Sequence, residues 1–326
     1  MNNEIILELE NFSVKYYTVD GVINAINNIN LKIKKGEMIG IAGESGCGKS
    51  TLGYGIIKLL PYNAKIYGKI LFDGEDLTLK NEKEMQKIRG GKISMVFQDP
   101  MTSLNPLYRV KDQFLRILKI HKKMDKEKGL AYAKELLKEV ELPDPEQILE
   151  SFPYELSGGM QQRVMIAMAL SSDPELIIAD EPTTAIDATI QAQILRLLKK
   201  LNKERNLSII LITHNLGIII ETCNRVVIMY AGNIVESGPI EKVFLNPLHP
   251  YTQALLYSIP HIGKTNKDKD LPTIPGEVPN LLNLPKGCVF YPRCKYAMEI
   301  CKENSPKLIE YENDHLIQCH LFNKSK

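Results

Sequence analysis

Residues 43 to 51 read Gly-Glu-Ser-Gly-Cys-Gly-Lys-Ser-Thr, with an apolar strand-like run, Met38 to Ala42, before them and a helix-compatible run from Ser50 after them. Strand, glycine-rich loop and helix in that order are the setting of a phosphate-binding loop. A triphosphate has to be wrapped by backbone N–H groups, and side chains hold the chain away from it, so Gly43, Gly46 and Gly48 permit the approach. Lys49 brings a compact positive charge to the β- and γ-phosphates. Ser50 offers a hydroxyl to Mg²⁺, and the helix that starts there aims its positive end at the anion. Ser45, Cys47 and Thr51 complete the stretch expected to touch ATP.

Hydrolysis needs carboxylates as well, and Leu176 to Glu181 supplies them: a buried strand that ends in Asp180 and Glu181. Asp180 is expected to organise Mg²⁺ and Glu181 to polarise the attacking water, a role typically worth about 10²- to 10⁴-fold in rate. Gln98 follows the apolar strand Ile93 to Phe97, where its carboxamide can complete the Mg²⁺ shell. His214 closes the run Ser208 to Thr213, from which an imidazole can meet a γ-phosphate and orient Glu181.

Leu156-Ser157-Gly158-Gly159-Met160-Gln161-Gln162 opens a second helix-compatible run that extends to Leu170. Ser157 is placed as its N-cap, and the two glycines leave amides bare for an anion. One chain cannot easily fold this segment and its own phosphate loop onto one nucleotide, so Ser157, Gly158, Gly159 and Gln161 are expected to meet ATP held by a second subunit. Asp187, in Pro-Thr-Thr-Ala-Ile-Asp, is expected near the partner's phosphate loop. Tyr16 is the expected adenine platform.

The chain has 326 residues, enough for two or three folding units. Its 41 basic and 39 acidic residues give a net charge of +2, so no overall field recruits nucleic acid or anionic lipid. The start lacks a basic, apolar signal sequence and no segment approaches a membrane span, which leads to the expectation of a cytosolic chain. Residues 5 to 98 read as β-rich with one helix. Residues 111 to 123 and 126 to 141 switch to helical spacing of apolar residues, an insertion within an α/β domain. Three continuous apolar runs, Glu175 to Asp180, Ser208 to Thr213 and Val226 to Tyr230, suit strands covered on both faces. Helices are expected near 189 to 204 and 216 to 223. Beyond Phe244 prolines accumulate and Lys264 to Asp270 reads as a solvated linker, which sets a domain boundary near 262.

Taken together, these motifs resemble the ABC transporter ATPases. Four longer strings narrow the likeness: Gln98-Asp-Pro-Met-Thr-Ser-Leu-Asn-Pro106, Leu248-His-Pro-Tyr-Thr-Gln-Ala-Leu-Leu256, Ile274-Pro-Gly-Glu-Val-Pro279 and Gly287-Cys-Val-Phe-Tyr-Pro-Arg-Cys294 are similar to the ATP-binding subunits of dipeptide/oligopeptide importers. The resemblance implies a RecA-like P-loop core with an antiparallel β subdomain and a helical subdomain at about 99–164. The nucleotide-binding domain spans 1–262, and a small Cys-rich C-terminal domain spans 263–326. It further implies two membrane permease subunits, a second ATPase subunit that is either a copy or a paralogue, an extracytoplasmic substrate-binding protein, and a place on the cytoplasmic face of the membrane. Nickel importers share much of the pattern, so cargo is less constrained than engine. Repair-type ABC ATPases carry long coiled-coil insertions; here Lys49 and Ser157 are 108 positions apart.

Of six cysteines, Cys288, Cys294, Cys301 and Cys319 fall in the last 39 residues. Their spacing is not the paired pattern of a zinc ribbon, and by itself leaves zinc, an iron–sulfur cluster and unligated thiols all open. The resemblance implies a [4Fe-4S] cluster on these four thiolates. His320 reads as an exposed tail histidine. Cys47 reads as a small loop residue whose alkylation would block nucleotide, and Cys223 as a buried small hydrophobe.

Overall fold

A computed structural model describes residues 4–184, 186–258 and 274–322. The linker Lys264 to Asp270 and the boundary near 262 lie outside the described residues.

The first half opens with two long strands, β1 (Ile5–Thr18) and β2 (Gly21–Lys34), joined by a tight turn, followed by β3 (Met38–Ala42). Then come β4 (Ala64–Phe72), β5 (Glu75–Asp76) and β6 (Ile93–Val96). A four-stranded antiparallel sheet, in the order β2-β1-β4-β5, covers one side of the nucleotide region. Sequence reading places only Ile5 to Phe12 and Ile26 to Ile33 in it. The strands run further because hydrogen bonding along β1 continues past the left-handed Asn11 and its register shifts, beyond which the apolar alternation is broken. β4 is hidden from pattern reading by its largely exposed residues, Lys65 and Lys69 among them.

The remaining strands are β7 (Leu176–Asp180), β8 (Ser208–Ile212), β9 (Arg225–Tyr230), β10 (Asn233–Pro239), β11 (Ile309–Glu312) and β12 (His315–Ile317). With β3 and β6 they form an eight-stranded sheet in the order β11-β12-β10-β9-β3-β8-β7-β6. The pairs β9-β3, β3-β8, β8-β7 and β7-β6 are parallel. These strands are apolar throughout because both faces are covered: every residue of β3, β7 and β8 is buried.

Helices Val110–His121 and Lys126–Glu139 confirm the helical insertion. They bury Phe114 and Leu118, and Ala133, Leu136, Leu137 and Val140, against the helix Gly158–Leu170, which is itself buried from Gln161 onward. Packing that helix all round makes its sequence apolar without a polar stripe.

Residues expected in the Cys-rich C-terminal domain contribute a strand to the cassette's own sheet. β12 pairs with β10, Glu236 opposite Ile317 and Ser237 opposite Leu316, so the tail extends the central sheet. Its Phe290 belongs to the same core cluster as Tyr230, Tyr251 and the helical insertion. β10 carries Asn, Glu and Ser among its buried residues, a composition that reads as loop and conceals the strand to which the tail adds.

Candidate nucleotide-binding and hydrolysis site

Parallel pairing brings the carboxyl ends of β3, β6, β7 and β8 to one edge of the sheet, with Val96 opposite Ala179 and Asp180 opposite Ile212. The phosphate loop leaves β3, Gln98 follows β6, Asp180 and Glu181 end β7, and His214 follows β8. Residues spread over more than a hundred positions therefore meet at a single edge, the usual ligand position in such sheets.

Along the loop, Ser45 and Gly46 are exposed while Cys47 and Lys49 are buried. Gly43 has φ +155° and a Cβ there would lie 2.2 Å from the Met229 carbonyl oxygen; Gly48 has φ +103° and a Cβ would lie 2.5 Å from the Ala25 carbonyl oxygen. These two glycines are required by neighbouring backbone as well as by any phosphate. Only Gly46 faces open space. Lys49 Nζ donates to the carbonyl oxygens of Gly43 at 2.8 Å and Glu44 at 3.0 Å, which curls the loop around the amine.

Ser50 lies in the first turn of the helix Lys49–Ile56, and its Oγ donates to Asp180 Oδ1 at 3.0 Å. Burial pushes the Asp180 carboxyl up and the neighbouring Glu181 charge adds to it, against the Ser50 bond and Lys49. A buried carboxylate beside a hydroxyl has the chemistry of a divalent-cation ligand pair. Glu181 sits in the left-handed region at φ +45°, a conformation that costs about 1–2 kcal/mol and collects at functional sites. Its amide donates to the Ile212 carbonyl, tying the end of β7 to that of β8.

The Glu181 carboxylate collects three partners: Gln98 Nε2 at 3.2 Å, Thr184 Oγ1 at 2.9 Å and His214 Nδ1 at 3.0 Å. Burial works to raise its pKa, but the bonds from His214 and Thr184 prevail and hold it below the usual carboxylate value. It is ionised at neutral pH and oriented from both oxygens. Thr184 has no counterpart in the sequence reading; its place three residues after the glutamate, in a turn, was the available signal.

Ser157 caps the helix Gly158–Leu170, and a Cβ at Gly158 would meet nothing within 4 Å, so this tip is open. Among the described residues, Ser157, Gly158 and Gly159 make no hydrogen bond to the phosphate loop. Gly159 packs against Ile190 in the helix Ala188–Arg205, which Asp187 caps by accepting from the amides of Thr189 and Ile190. The two segments expected to face a second subunit thus lie side by side. Gln161 follows on the first turn of the helix that Ser157 caps. It is buried, and its Nε2 donates to the carbonyls of Pro153 at 2.9 Å and Leu156 at 3.0 Å, which shapes the turn before Ser157. Tyr16 places its hydroxyl 3.4 Å from Thr51 Oγ1 beside the loop, whereas Tyr17 points away to Tyr67 at 2.7 Å.

Two residues reach the loop from the C-terminal part. Tyr251 OH accepts the Glu44 N–H at 2.9 Å, and Arg293 pairs with the Glu44 carboxylate at 2.8 Å. Sequence reading met both only inside the Leu248–Leu256 and Gly287–Cys294 strings and gave them no role.

Cys47 is buried and its thiol is pushed up by that burial, which argues against easy alkylation. Cys223 is buried as expected, its thiol raised to about 12 by desolvation. Cys288, Cys294, Cys301 and Cys319 line one cavity together with His249 and Phe290. Gly287 allows this, since a Cβ there would sit 2.2 Å from the Cys301 carbonyl, the same oxygen that accepts the Cys288 N–H. The expectation of a ready metal site is not met: among the described residues no group of three His, Cys, Asp or Glu side chains is arranged to hold a metal ion.

A phosphate loop, a strand ending in Asp-Glu, and an open Ser-Gly-Gly helix tip set beside a helical insertion define an ABC-type ATPase cassette. The ABC transporter family profile matches residues 26–184, and that of the oligopeptide/dipeptide transporter C-terminal region matches residues 235–301. The oligopeptide transport ATP-binding protein OppD of Haemophilus influenzae is 45% identical over 316 residues, 97% of each chain. Its Bacillus subtilis counterpart is 46% identical over 318 residues, 97% of this chain and 88% of that one. Among solved structures, a dimeric post-hydrolysis state of the ATP-binding cassette MJ0796 bound to ADP and Pi is 33% identical with a TM-score of 0.65, covering 72% of this chain and 98% of that one. The chain belongs to the oligopeptide/dipeptide transporter family of ABC ATP-binding proteins.

Proposed function

We propose that this chain hydrolyses ATP to energise the uptake of oligopeptides through membrane permease partners. The observation that carries the mechanism is the convergence of Gln98, Thr184 and His214 on Glu181, beside the Ser50–Asp180 pair. In this reading the loop amides and Lys49 bind the phosphates, while Tyr16 carries the adenine. Ser50, Asp180 and Gln98 would hold Mg²⁺, which supplies charge neutralisation at the phosphates. Glu181 accepts a proton from the attacking water, with His214 and Thr184 fixing its orientation.

The open Ser157 tip meets nucleotide held by a second cassette, and Asp187 approaches the same interface. Burial of the ATP between two subunits is supported by the dimeric state named for MJ0796. Closure of the pair drives the permeases, and hydrolysis resets them. No helix among the described residues is long and apolar enough to cross a membrane, so attachment to the cytoplasmic face runs through the permeases. An apolar cleft of about 540 Å³, lined by Phe97, Leu104, Tyr108 and Ile117, opens where β6 meets the helical insertion, next to Gln98. It suits a permease segment whose movement Gln98 can feel. An extracytoplasmic peptide-binding protein delivers cargo to those permeases. The nucleotide-binding unit ends near residue 262 in this reading.

The cysteine cavity is read as the seat of a [4Fe-4S] cluster. Four thiols lining one cavity are the donor set such a cluster would take. Burial raises the Cys288 thiol to about 11 and the Cys319 thiol to about 12, so a cationic centre is what would hold them as thiolates. Anaerobically purified protein should contain about four irons with matching labile sulfide; none of either refutes the assignment. For the ATPase, Glu181→Gln should keep ATP binding and lose turnover, and normal hydrolysis by that variant refutes the mechanism.

A further inference from the structure

Glu44 is the only acidic residue in the 43–51 loop, and a carboxylate beside a triphosphate lowers affinity by like-charge repulsion. The structure answers this charge from the far end of the chain. Arg293, in the turn Tyr291–Arg293, has a side chain 4% exposed and meets the Glu44 carboxylate fork to fork, Nη1 to Oε2 at 2.8 Å and Nη2 to Oε1 at 3.2 Å. Its Nε donates to the Pro275 carbonyl at 2.9 Å, Nη2 also to the Ile274 carbonyl at 3.2 Å, and Nη1 to the Tyr230 hydroxyl at 3.3 Å. With every arm engaged, the guanidinium has one geometry, which a lysine ammonium cannot reproduce.

The backbone of the same residue is held too. Glu44 N–H donates to the hydroxyl of the fully buried Tyr251, whose ring packs on Tyr230 at 4.6 Å and on Phe290 at 5.4 Å. The Glu44 carbonyl accepts from Lys49 at 3.0 Å. Residue 44 is therefore clamped at side chain, amide and carbonyl, and the last of these bonds passes its position directly to the lysine that meets phosphate.

We propose that Arg293 is a positioning residue for ATP binding: it neutralises Glu44, holds its carboxylate against the C-terminal segment, and so presets the loop amides and Lys49. The inference rests on the ATPase reading above. In the assembled transporter, Arg293→Gln should raise the KM for ATP about tenfold and leave kcat within about twofold, because uniform binding is lost while Glu181 is untouched. Glu44→Gln in the same chain removes the charge that needs an answer and should return KM to within about threefold of wild type. Arg293→Lys should fall between. Melting curves accompany each variant, and the KM change must appear in protein that keeps the wild-type melting transition; a KM rise seen only where that transition is lost overturns the proposal. An unchanged KM in Arg293→Gln, or a double variant as impaired as the single one, overturns the proposal and leaves Arg293 as a tail anchor. Glu181→Gln run in parallel separates the two claims: turnover there at the wild-type rate sinks the ATPase reading, whereas a dead Glu181→Gln beside an insensitive Arg293→Gln sinks only the Arg293 inference.

Discussion

A carboxylate is a useful partner for attacking water only if it stays ionised and pointed, and at Glu181 both conditions come from its neighbours. His214 and Thr184 outweigh the burial that would neutralise it. Glu181→Gln should therefore reduce phosphate release by at least about 10²-fold while ATP binding persists. The glycines of the loop divide by environment. Gly43→Ala drives a Cβ to within 2.2 Å of the Met229 carbonyl and should abolish ATP binding and lower the melting temperature. Gly46→Ala meets nothing within 4 Å and should cost only the left-handed backbone penalty, about 1 kcal/mol. Equal melting temperatures for the two variants contradict this account. The sequence motif treats these positions alike; only the packing of β9 and β2 around Gly43 and Gly48 tells them apart.

Among elements, the joint between β10 and β12 decides whether the tail belongs to the cassette. Glu236 is fully buried and accepts from the amides of Leu248 at 2.9 Å and His249 at 2.9 Å and from His315 Nε2 at 2.8 Å. Removing the last partner leaves a buried carboxylate short of a bond, so His315→Ala should destabilise by about 1–3 kcal/mol in denaturant unfolding. His249 is equally buried, and desolvation pushes its imidazole down to about 4, against the Glu236 charge. Its folded value lies below the unfolded one of about 6.5, so the unfolded chain binds the extra proton between those pH values. Stability from this group is complete above about pH 6.5 and is lost as pH falls toward 4. Melting temperatures should drop across that window, and a flat profile would speak against a buried neutral His249. The strands at this joint were illegible in sequence because their charges are inside: Glu236 and His315 satisfy each other, and pattern reading assigns such residues to loops.

At the scale of the whole molecule the proposed site is shared between two chains. The Ser157 tip is open and makes no bond to its own phosphate loop among the described residues, so turnover should require two cassettes. Ser157→Arg, which fills the open tip beside Gly158, should leave ATP binding to the single chain intact and abolish hydrolysis. Turnover per chain that is independent of concentration and indifferent to this substitution contradicts the shared site. The tail also acts at this scale, since Arg293 and Tyr251 make the phosphate loop depend on residues more than two hundred positions away.

The sequence by itself determined the chemistry of the engine. The loop 43–51, the Asp180-Glu181 pair, Gln98 and His214 are legible because each needs a particular residue type at the end of an apolar strand, and that is a local demand. Tertiary structure alone decided that the C-terminal segment continues the central sheet, that Gln161 serves a turn, and that Glu44 is answered by Arg293. Those contacts join distant residues through burial and hydrogen-bond geometry, which leave no periodic mark in the chain.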